Sequence, residues 1–137
     1  MIVCGIARSG ARSSIRHRLS TQARRAPMRV SVVIPALNEA GSLGQVIAAV
    51  GRENAVEIVL VDAGSADTTT WIARQAGAEI LHSPRRQRAF QLNLGARKAR
   101  GGVLLFLHAD TVLPRNAASL IRHALRDRRV VGGAFAR

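Results

Sequence analysis

Cysteine, aromatic residues and long apolar runs are scarce in this sequence, and each scarcity excludes a class of protein. The one cysteine, Cys4, can form no internal disulfide and supplies no thiolate cluster for zinc. With 3% aromatic residues, the chain has little with which to stack nucleic acid bases. No apolar run approaches the roughly 18 residues that cross a bilayer, and the first residues lack the apolar core of a secretory signal. We therefore expect a cytoplasmic protein.

Acidic residues are also few, since 8 Asp and Glu stand against 21 Lys and Arg for a formal charge of +13. The positive charge is concentrated in two places. Six arginines and no acid lie within residues 1–27, and a second group lies among the apolar segments that follow. A diphosphate ligand explains the second group as well as a polynucleotide does, and nucleic acid is the less favoured partner. The second group comprises Arg85, Arg86, Arg88, Arg97, Lys98 and Arg100, of which the last three are expected on the solvated face of a helix.

Residues 1–27 differ in composition from the rest of the chain. They are rich in Arg, Ser and Ala, show no sustained periodicity and end at Pro27, directly before Met28 and the first strand-like run. Three interpretations compete: a translated stretch upstream of a true start at Met28, an organellar transit peptide, and a flexible basic arm. We favour the first and assign the folded domain to residues 28–137.

From Met28 onward the hydrophobic pattern alternates between strand and helix. Buried strands separated by single helices predict an open, mostly parallel α/β sheet with helices on both faces. Asp67 is expected to cap the second helix, which stops at Gly77, and Pro114 to open the fourth. The expected strands are Val30–Pro35, Val56–Asp62, Ala78–His82, Val103–His108 and Val130–Phe135. The expected inward faces include Leu43, Val46, Ile47 and Val50 in the first helix, and Ala117, Leu120, Ile121 and Leu125 in the fourth.

Polar residues follow the predicted strands, and in an open parallel sheet ligands bind outside the carboxyl ends of the strands. Carboxylates, arginines and helix N-termini that meet at one edge suit a nucleoside diphosphate. Asp62 can accept hydrogen bonds from a base, and Gly64 lets the backbone approach closely. Asp110 is a hard oxygen ligand for Mg²⁺ or Mn²⁺ bound together with the phosphates. The best phosphate candidates are Arg85, Arg86 and Arg88.

Three segments in order resemble the successive signatures of family 2 glycosyltransferases with the A-type fold: SVVIPALNEAGSL, EIVLVDAGSADTT, and the run from Arg88 into VLLFLHADT. The resemblance covers residues 28–137. It implies a transferase that uses a nucleotide sugar, UDP- or GDP-linked, and that is inverting and metal-dependent. It also implies roles for single residues: Pro35, Asn38 and Glu39 line the nucleotide pocket, Asp62 binds the base, Arg88 lies near the diphosphate and Asp110 binds the metal.

The metal motif departs from the usual family pattern. The common Asp-x-Asp motif has His108 in place of its first acid, as in a bacterial branch of the family that carries LHADT. Imidazole can bind Mn²⁺ and suits Mg²⁺ less well. His108 is therefore either a metal ligand or a contact to the nucleotide or a water.

The length of the chain is a second departure. Family members continue for a substantial further stretch, which supplies the acceptor site and usually the catalytic base. None of the acids in this sequence has a good claim to that role, so the resemblance leaves the catalytic residue unassigned and places the base beyond Arg137, the last residue. We therefore expect a C-terminally truncated fold that holds the donor without transferring its sugar to an acceptor.

Two other function classes remain open at this point: a nucleotide-diphosphate-binding module without catalysis, and a basic nucleic-acid-binding protein. The acceptor is not defined by the sequence. Peripheral membrane contact and self-association are further partner hypotheses, the latter because the last predicted strand is left poorly covered.

The assignment of residues 1–27 gives a direct prediction. Because the pattern of the fold begins at Met28, a shortened chain that starts there is expected to unfold at the same temperature as the 137-residue chain. Thermal unfolding followed by circular dichroism measures this. A drop of several degrees would show that the segment packs on the domain and that the boundary is misplaced.

Overall fold

A computed structural model describes residues 28–51, 56–111 and 113–135. Residues 1–27, with Cys4 and the predicted leader, lie outside the described residues. So does Arg137 at the other end, and the expectation that the catalytic base lies beyond Arg137 stays a prediction.

Strand and helix alternate as the hydrophobic pattern predicts. None of the helices in the described part of the chain has the length and apolar character of a membrane span. The elements are β1 (Val30–Ala36), α1 (Ala40–Val50), β2 (Val56–Asp62), α2 (Thr69–Gln75), β3 (Glu79–His82), α3 (Arg88–Lys98), β4 (Val103–Phe106) and α4 (Ala117–Ala124).

The four strands form one parallel sheet in the order β3-β2-β1-β4. Strand β1 pairs with β2 along its whole length, from Val30 opposite Val56 to Ala36 opposite Asp62. It pairs with β4 only as far as Val33 opposite Phe106. The chain therefore adds strands on one side of β1 and then returns to its other side, which confirms the predicted open α/β fold.

Helices cover both faces of the sheet, and the burial of β1 on both sides follows from this. Alternate residues of β1, among them Val32 and Ile34, pack in a large core cluster with Leu43 of α1 and Ile121 of α4. Val33 points to the opposite face, into a smaller cluster with Leu92 and Leu94 of α3 and strands β2 and β4. The run of β1, apolar except for Ser31, is thus the sequence signature of a strand between two helical layers. The predicted inward face of α1 is confirmed, because its buried residues are Leu43, Val46, Ile47 and Val50.

A buried carboxylate fastens the strand starts at the amino end of the sheet. Glu57 accepts hydrogen bonds from Ser31 Oγ, from Arg100 N at 2.8 Å and from Arg100 Nε at 2.7 Å. Gly101 N donates to Ser31 Oγ at 2.8 Å, and the Arg100 guanidinium also lies 3.4 Å from Glu79. Burial alone raises the pKa of Glu57, but these hydrogen bonds and the Arg100 charge outweigh it and lower the pKa below 4.5. Arg100, expected on a solvated helix face, is exposed but lies beyond the end of α3, and it ties the turn between α3 and β4 to Glu57 of β2 and Glu79 of β3.

The predicted fifth strand over Val130–Phe135 is wrong. These residues have no regular secondary structure, and Val131 is 71% exposed. Gly132 and Gly133 interrupt the apolar pattern, and Val130 N donates to Asp127 O in a turn rather than to a strand. Val130 and Phe135 still pack against the core cluster of the α1 face, so their apolar character reflects burial at single positions.

Helix α4 also differs from the prediction at its start and on its surface. Pro114 does not open it; the Pro114 carbonyl accepts a hydrogen bond from Ala117 N in a preceding turn, and the helix begins at Ala117. Leu120, expected to face inward, is exposed, whereas Ile121 and Leu125 are buried. A helix turns through about 100° per residue, so the inward face covers only part of the predicted apolar positions.

The contact between α3 and the sheet depends on Gly95. An ideal Cβ built at Gly95 would overlap Val33 Cγ1 and lie 3.0 Å from Val61 Cγ2, whereas one at Gly44 in α1 would meet only Ile72 Cγ2 at 3.8 Å. Gly95→Ala is therefore expected to destabilise the fold by about 1–3 kcal/mol through overpacking.

Gly44→Ala is the matched control and should stabilise by up to about 1 kcal/mol, since alanine restricts the unfolded chain and favours helix. Urea denaturation of both variants measures the difference. Equal effects at the two positions would contradict the packing of α3 on β1 and β2.

Candidate functional site

The polar residues selected from the sequence lie at the carboxyl edge of the sheet, where the strands end. Ala36, Asp62 and His82 are level with one another across β1, β2 and β3. The ladder between β1 and β4 stops earlier, and Leu107 N makes its last bond, to Val33 O at 3.0 Å. Pro35 has no N–H with which to extend this ladder. The carboxyl ends of β1 and β4 therefore separate at the point where the strand order reverses, which is where open α/β sheets bind ligands.

The Asp62 carboxylate is bound within its own loop. Asp62 is 2% exposed, and it accepts hydrogen bonds from Gly64 N at 3.1 Å, from Ser65 N at 3.1 and 3.2 Å and from Ser65 Oγ at 2.5 Å. Gly64 has a φ of 90°, and an added Cβ would meet nothing within 4 Å. The glycine is thus explained by its backbone conformation. Asp62 folds the loop that surrounds it, whatever else it binds.

The loops after β1 and β2 are joined directly by hydrogen bonds; we call residues 37–40 and 62–69 the loop pair. Asn38 N donates to Ser65 Oγ at 2.9 Å, and Asn38 Oδ1 accepts from Ala66 N at 2.8 Å. Glu39 N donates to Thr69 Oγ1 at 2.8 Å. These bonds fix the backbones of the two loops against each other. The loop pair is therefore preorganised at the carboxyl edge before any ligand binds.

Asp67 serves both helices of the loop pair. Its Oδ1 accepts from Thr69 Oγ1 at 2.5 Å and from Thr69 N at 2.9 Å, at the start of α2, and its Oδ2 accepts from Ala40 N at 3.1 Å, at the start of α1. The Thr69 hydroxyl, followed by the N–H groups of Thr69 and Ala40, lowers the pKa of Asp67 below its ordinary 3.8. The prediction that Asp67 is the N-cap of α2 is wrong by one residue, because Thr68 occupies that position and makes no side-chain cap; Asp67 nevertheless accepts the N–H of Thr69, the first residue of the helix.

The arginines after β3 differ in how they are held. Ser83 Oγ donates to Arg85 O at 2.8 Å, which shapes the loop, and the Arg85 guanidinium lies 5.1 Å from the Phe90 ring centroid. Arg86 and Arg88 are exposed, and no carboxylate in the described part of the chain forms an ion pair with either. Arg86 and Arg88 are therefore available to an anion, whereas Arg85 rests on an aromatic ring.

Gln91 is a structural residue that sequence reasoning left without a role. It is 5% exposed on α3, and its Nε2 donates to Ala36 O at 3.1 Å and to Val61 O at 2.7 Å. The amide thus ties α3 to the ends of β1 and β2, directly below the loop pair. Its signal in the sequence is the i, i+4 spacing to Gly95, which places a polar residue on the buried face of the helix.

His108 and Asp110 follow β4 in a tight turn. Thr111 N donates to His108 O at 3.1 Å, and Thr111 Oγ1 lies 3.3 Å from Asp110 Oδ1. Asp110 is exposed and His108 is half-buried. No group of three or more His, Cys, Asp or Glu that could hold a metal occurs within the residues described. One carboxylate and one imidazole fit a divalent cation only if a ligand such as a diphosphate supplies further oxygens.

Comparison with known proteins finds one matching family model and several solved structures of similar fold. The model of the family described as glycosyl transferase family 2 matches residues 31–137. No curated protein matches the sequence. Among solved structures, S. aureus TarS has a TM-score of 0.69 at 16% identity over 80% of this chain and 39% of its own. At that identity the likeness shows the fold.

Two further structures are similar at 25% identity and were solved with nucleotides. The mannosyltransferase PcManGT from Pyrobaculum calidifontis, in complex with GDP-Man and Mn²⁺, has a TM-score of 0.64 over 72% of this chain and 32% of its own. Glucosyl-3-phosphoglycerate synthase from Mycobacterium tuberculosis, with Mn²⁺, UDP and glucosyl-3-phosphoglycerate, has a TM-score of 0.61 over 81% and 46%. The chain spans less than half the length of each of these structures.

The bonds of the loop pair predict an order of stability at Asn38. Asn38 has a φ of 58°, in the left-handed region. Asn38→Gly removes the acceptor for Ala66 N, but glycine adopts the left-handed φ without strain. Asn38→Ala removes the same acceptor and also strains the backbone, because alanine disfavours a positive φ. The expected order is wild type, then glycine, then alanine, with alanine lower than wild type by about 2–4 kcal/mol from the two effects together. Chemical denaturation measures it, and an alanine variant as stable as the glycine variant would contradict the strained geometry.

Proposed function

The chain belongs to glycosyl transferase family 2, and we propose that it is the donor-binding part of an enzyme that transfers a sugar from a UDP- or GDP-sugar to an acceptor. The observation that carries the proposal is the preorganised loop pair beside the gap between β1 and β4. Neighbours of similar fold bind UDP or GDP-Man with Mn²⁺. Family membership favours an enzyme over a non-catalytic module or a nucleic-acid-binding protein.

The base and ribose lie along the loop pair in this proposal. Asp62 accepts a hydrogen bond from the base, and Gly64 leaves open space beside the backbone. Pro35, Asn38 and Glu39 line the nucleotide-binding pocket. Support comes from the position of all five residues at the end of β1 or β2. The loop bonds of Asp62 stabilise the carboxylate in one orientation, so that little ordering is required when the nucleotide binds.

The diphosphate lies toward the arginines after β3. Arg86 and Arg88 supply the charge, and Arg88 begins α3, where free N–H groups also favour an anion. Arg85 contributes from its position over Phe90. These groups stabilise the negative charge that develops on the leaving diphosphate as the bond to the sugar breaks.

Asp110, with His108 beside it, is the proposed contact to a divalent cation. When bound there with the phosphates, Mg²⁺ or Mn²⁺ supplies Lewis acidity to the leaving group. The exposed carboxylate of Asp110 provides the hard oxygen that both cations prefer. The half-buried imidazole of His108 favours Mn²⁺ over Mg²⁺.

Inverting transfer also needs a carboxylate that removes the proton from the attacking acceptor hydroxyl. Four acids lie at the carboxyl edge within the described residues. Asp62 and Asp67 accept backbone N–H bonds, and Asp110 is assigned to the cation. The remaining acid is Glu39, half-buried at the start of α1. We assign no base among the described residues and keep the proposal that it lies beyond Arg137; Glu39 is the first described acid to test if the chain transfers sugar.

Isothermal titration calorimetry with UDP and GDP tests the metal and base assignments together. Binding should be at least about tenfold tighter with Mn²⁺ than in EDTA, and Asp110→Asn should abolish that difference. Asp62→Asn should weaken binding with and without Mn²⁺, because its contact is to the base.

The control is Asp127→Asn, an exposed acid beyond α4 that should change neither value. Equal affinity of the unmodified chain in Mn²⁺ and EDTA would remove the metal role. No binding of either nucleotide under any condition would overturn the proposed function.

A further inference from the structure

His82 stands beside Asp62 at the carboxyl edge, and nothing in the sequence pattern singles it out. It is the last residue of β3 and is paired in register with Asp62. Its Nδ1 lies 3.8 Å from Asp62 Oδ2, too far for a hydrogen bond between them. The His82 side chain is 74% exposed, whereas that of Asp62 is 3% exposed. The imidazole is therefore an exposed group directly beside a buried carboxylate.

The hydrogen bonds of Asp62 limit what this residue can do alone. Gly64 N, Ser65 N and Ser65 Oγ already occupy most of the roughly four acceptor directions of the carboxylate. An ionised carboxylate also donates nothing. The hydrogen-bonding edge of a base presents an N–H and an acceptor side by side, so Asp62 can satisfy only the N–H. A donor is needed next to Asp62 to satisfy the acceptor.

Among the described residues, the ion pairs and hydrogen bonds place two side chains that can donate within 4 Å of the Asp62 carboxylate: Ser65 and His82. Ser65 already donates to Asp62 within the loop. His82 is therefore the donor left for a ligand. A neutral or protonated imidazole carries an N–H, and the exposed ring is free to turn toward a ligand. An acceptor oxygen and a donor nitrogen 3.8 Å apart can hold neighbouring groups on one base edge.

We infer that His82 is a nucleobase-binding residue, which donates a hydrogen bond to the ring carbonyl next to the N–H that Asp62 accepts. Uracil and guanine both present a ring N–H beside a carbonyl oxygen. The inference rests on the proposed function, because it extends the same nucleotide site. His82 touches the base and not the reacting sugar, so its contribution is to the affinity for nucleotide.

Calorimetry with UDP and GDP in Mn²⁺ tests the inference on the 137-residue chain. His82→Ala should raise the Kd of the better-bound nucleotide about tenfold, the value of one hydrogen bond at the upper end of its usual range. His82→Gln retains a side-chain N–H and should recover part of the loss. His123→Ala, which removes an exposed histidine from α4, should leave the Kd unchanged. The same ratio between wild type and His82→Ala is expected in EDTA, since the contact does not involve the metal.

NMR of the histidine side chains gives a test that needs no variant to fold. On addition of UDP or GDP, the His82 imidazole resonances should shift by more than those of His123. An unmoved His82 signal, or a His82→Ala variant that is folded and binds as tightly as wild type, would overturn the inference and leave the proposed function intact. Failure of the unmodified chain to bind either nucleotide would overturn both.

Discussion

Strand β1 lies at the centre of the sheet, and both helical layers and both neighbouring strands pack on it. All seven of its residues are buried, it is paired on both edges, and helices pack on both of its faces. A strand in this position must be mainly apolar on both faces, and its ends must be held by the elements beside it. At the amino end Ser31 donates to Glu57 and accepts from Gly101 N, and at the carboxyl end Gln91 donates to Ala36 O. The position of the candidate site follows from where β1 ends.

The candidate site uses polar groups twice, first to build the loops and then to face a ligand. Asp62, Asn38 and Asp67 each bind backbone N–H groups within the loop pair. Such bonds favour one backbone arrangement, so less conformational entropy remains to be lost on binding. Because of this double use, mutation of these residues will confound stability with affinity. Residues with few internal bonds, such as Asp110 and Arg86, report more directly on the ligand.

The sequence predicted most of the fold because strands buried on both faces produce continuous apolar runs. It predicted the first four strands, the inward face of α1 and the family, whose signatures fall at strand ends. It failed where apolar residues are buried only singly or are exposed. Val130–Phe135 reads as a strand, yet only single residues of it contact the core. Leu120 lies next to the buried stripe of α4, and periodicity over an 8-residue helix does not separate the two.

The site was less predictable than the fold, because it depends on contacts between residues far apart in the chain. Gln91 and Ala36 are 55 residues apart, and no local pattern reveals that the amide of one binds the carbonyl of the other. The pairing of His82 with Asp62 depends on the register of β3, which the sequence leaves open by one residue or more. Conversely, the short spacing from Asp67 to Thr69 allowed a bond between Asp67 and the start of α2 to be predicted from the sequence. The bond from Ala40 N to Asp67 joins residues 27 apart and could not be predicted in this way.

Binding of a nucleoside diphosphate at the carboxyl edge of the sheet, against the loop pair, is the proposal from which the roles of the single residues follow. Hydrogen–deuterium exchange of the 137-residue chain, with and without UDP or GDP and Mn²⁺, tests it most directly. We expect slower exchange in residues 36–40, 62–69 and 83–88, with no change in α4 or around Arg100 and Gly101 at the amino end. Protection confined to α4 or to the amino end of the sheet would contradict it.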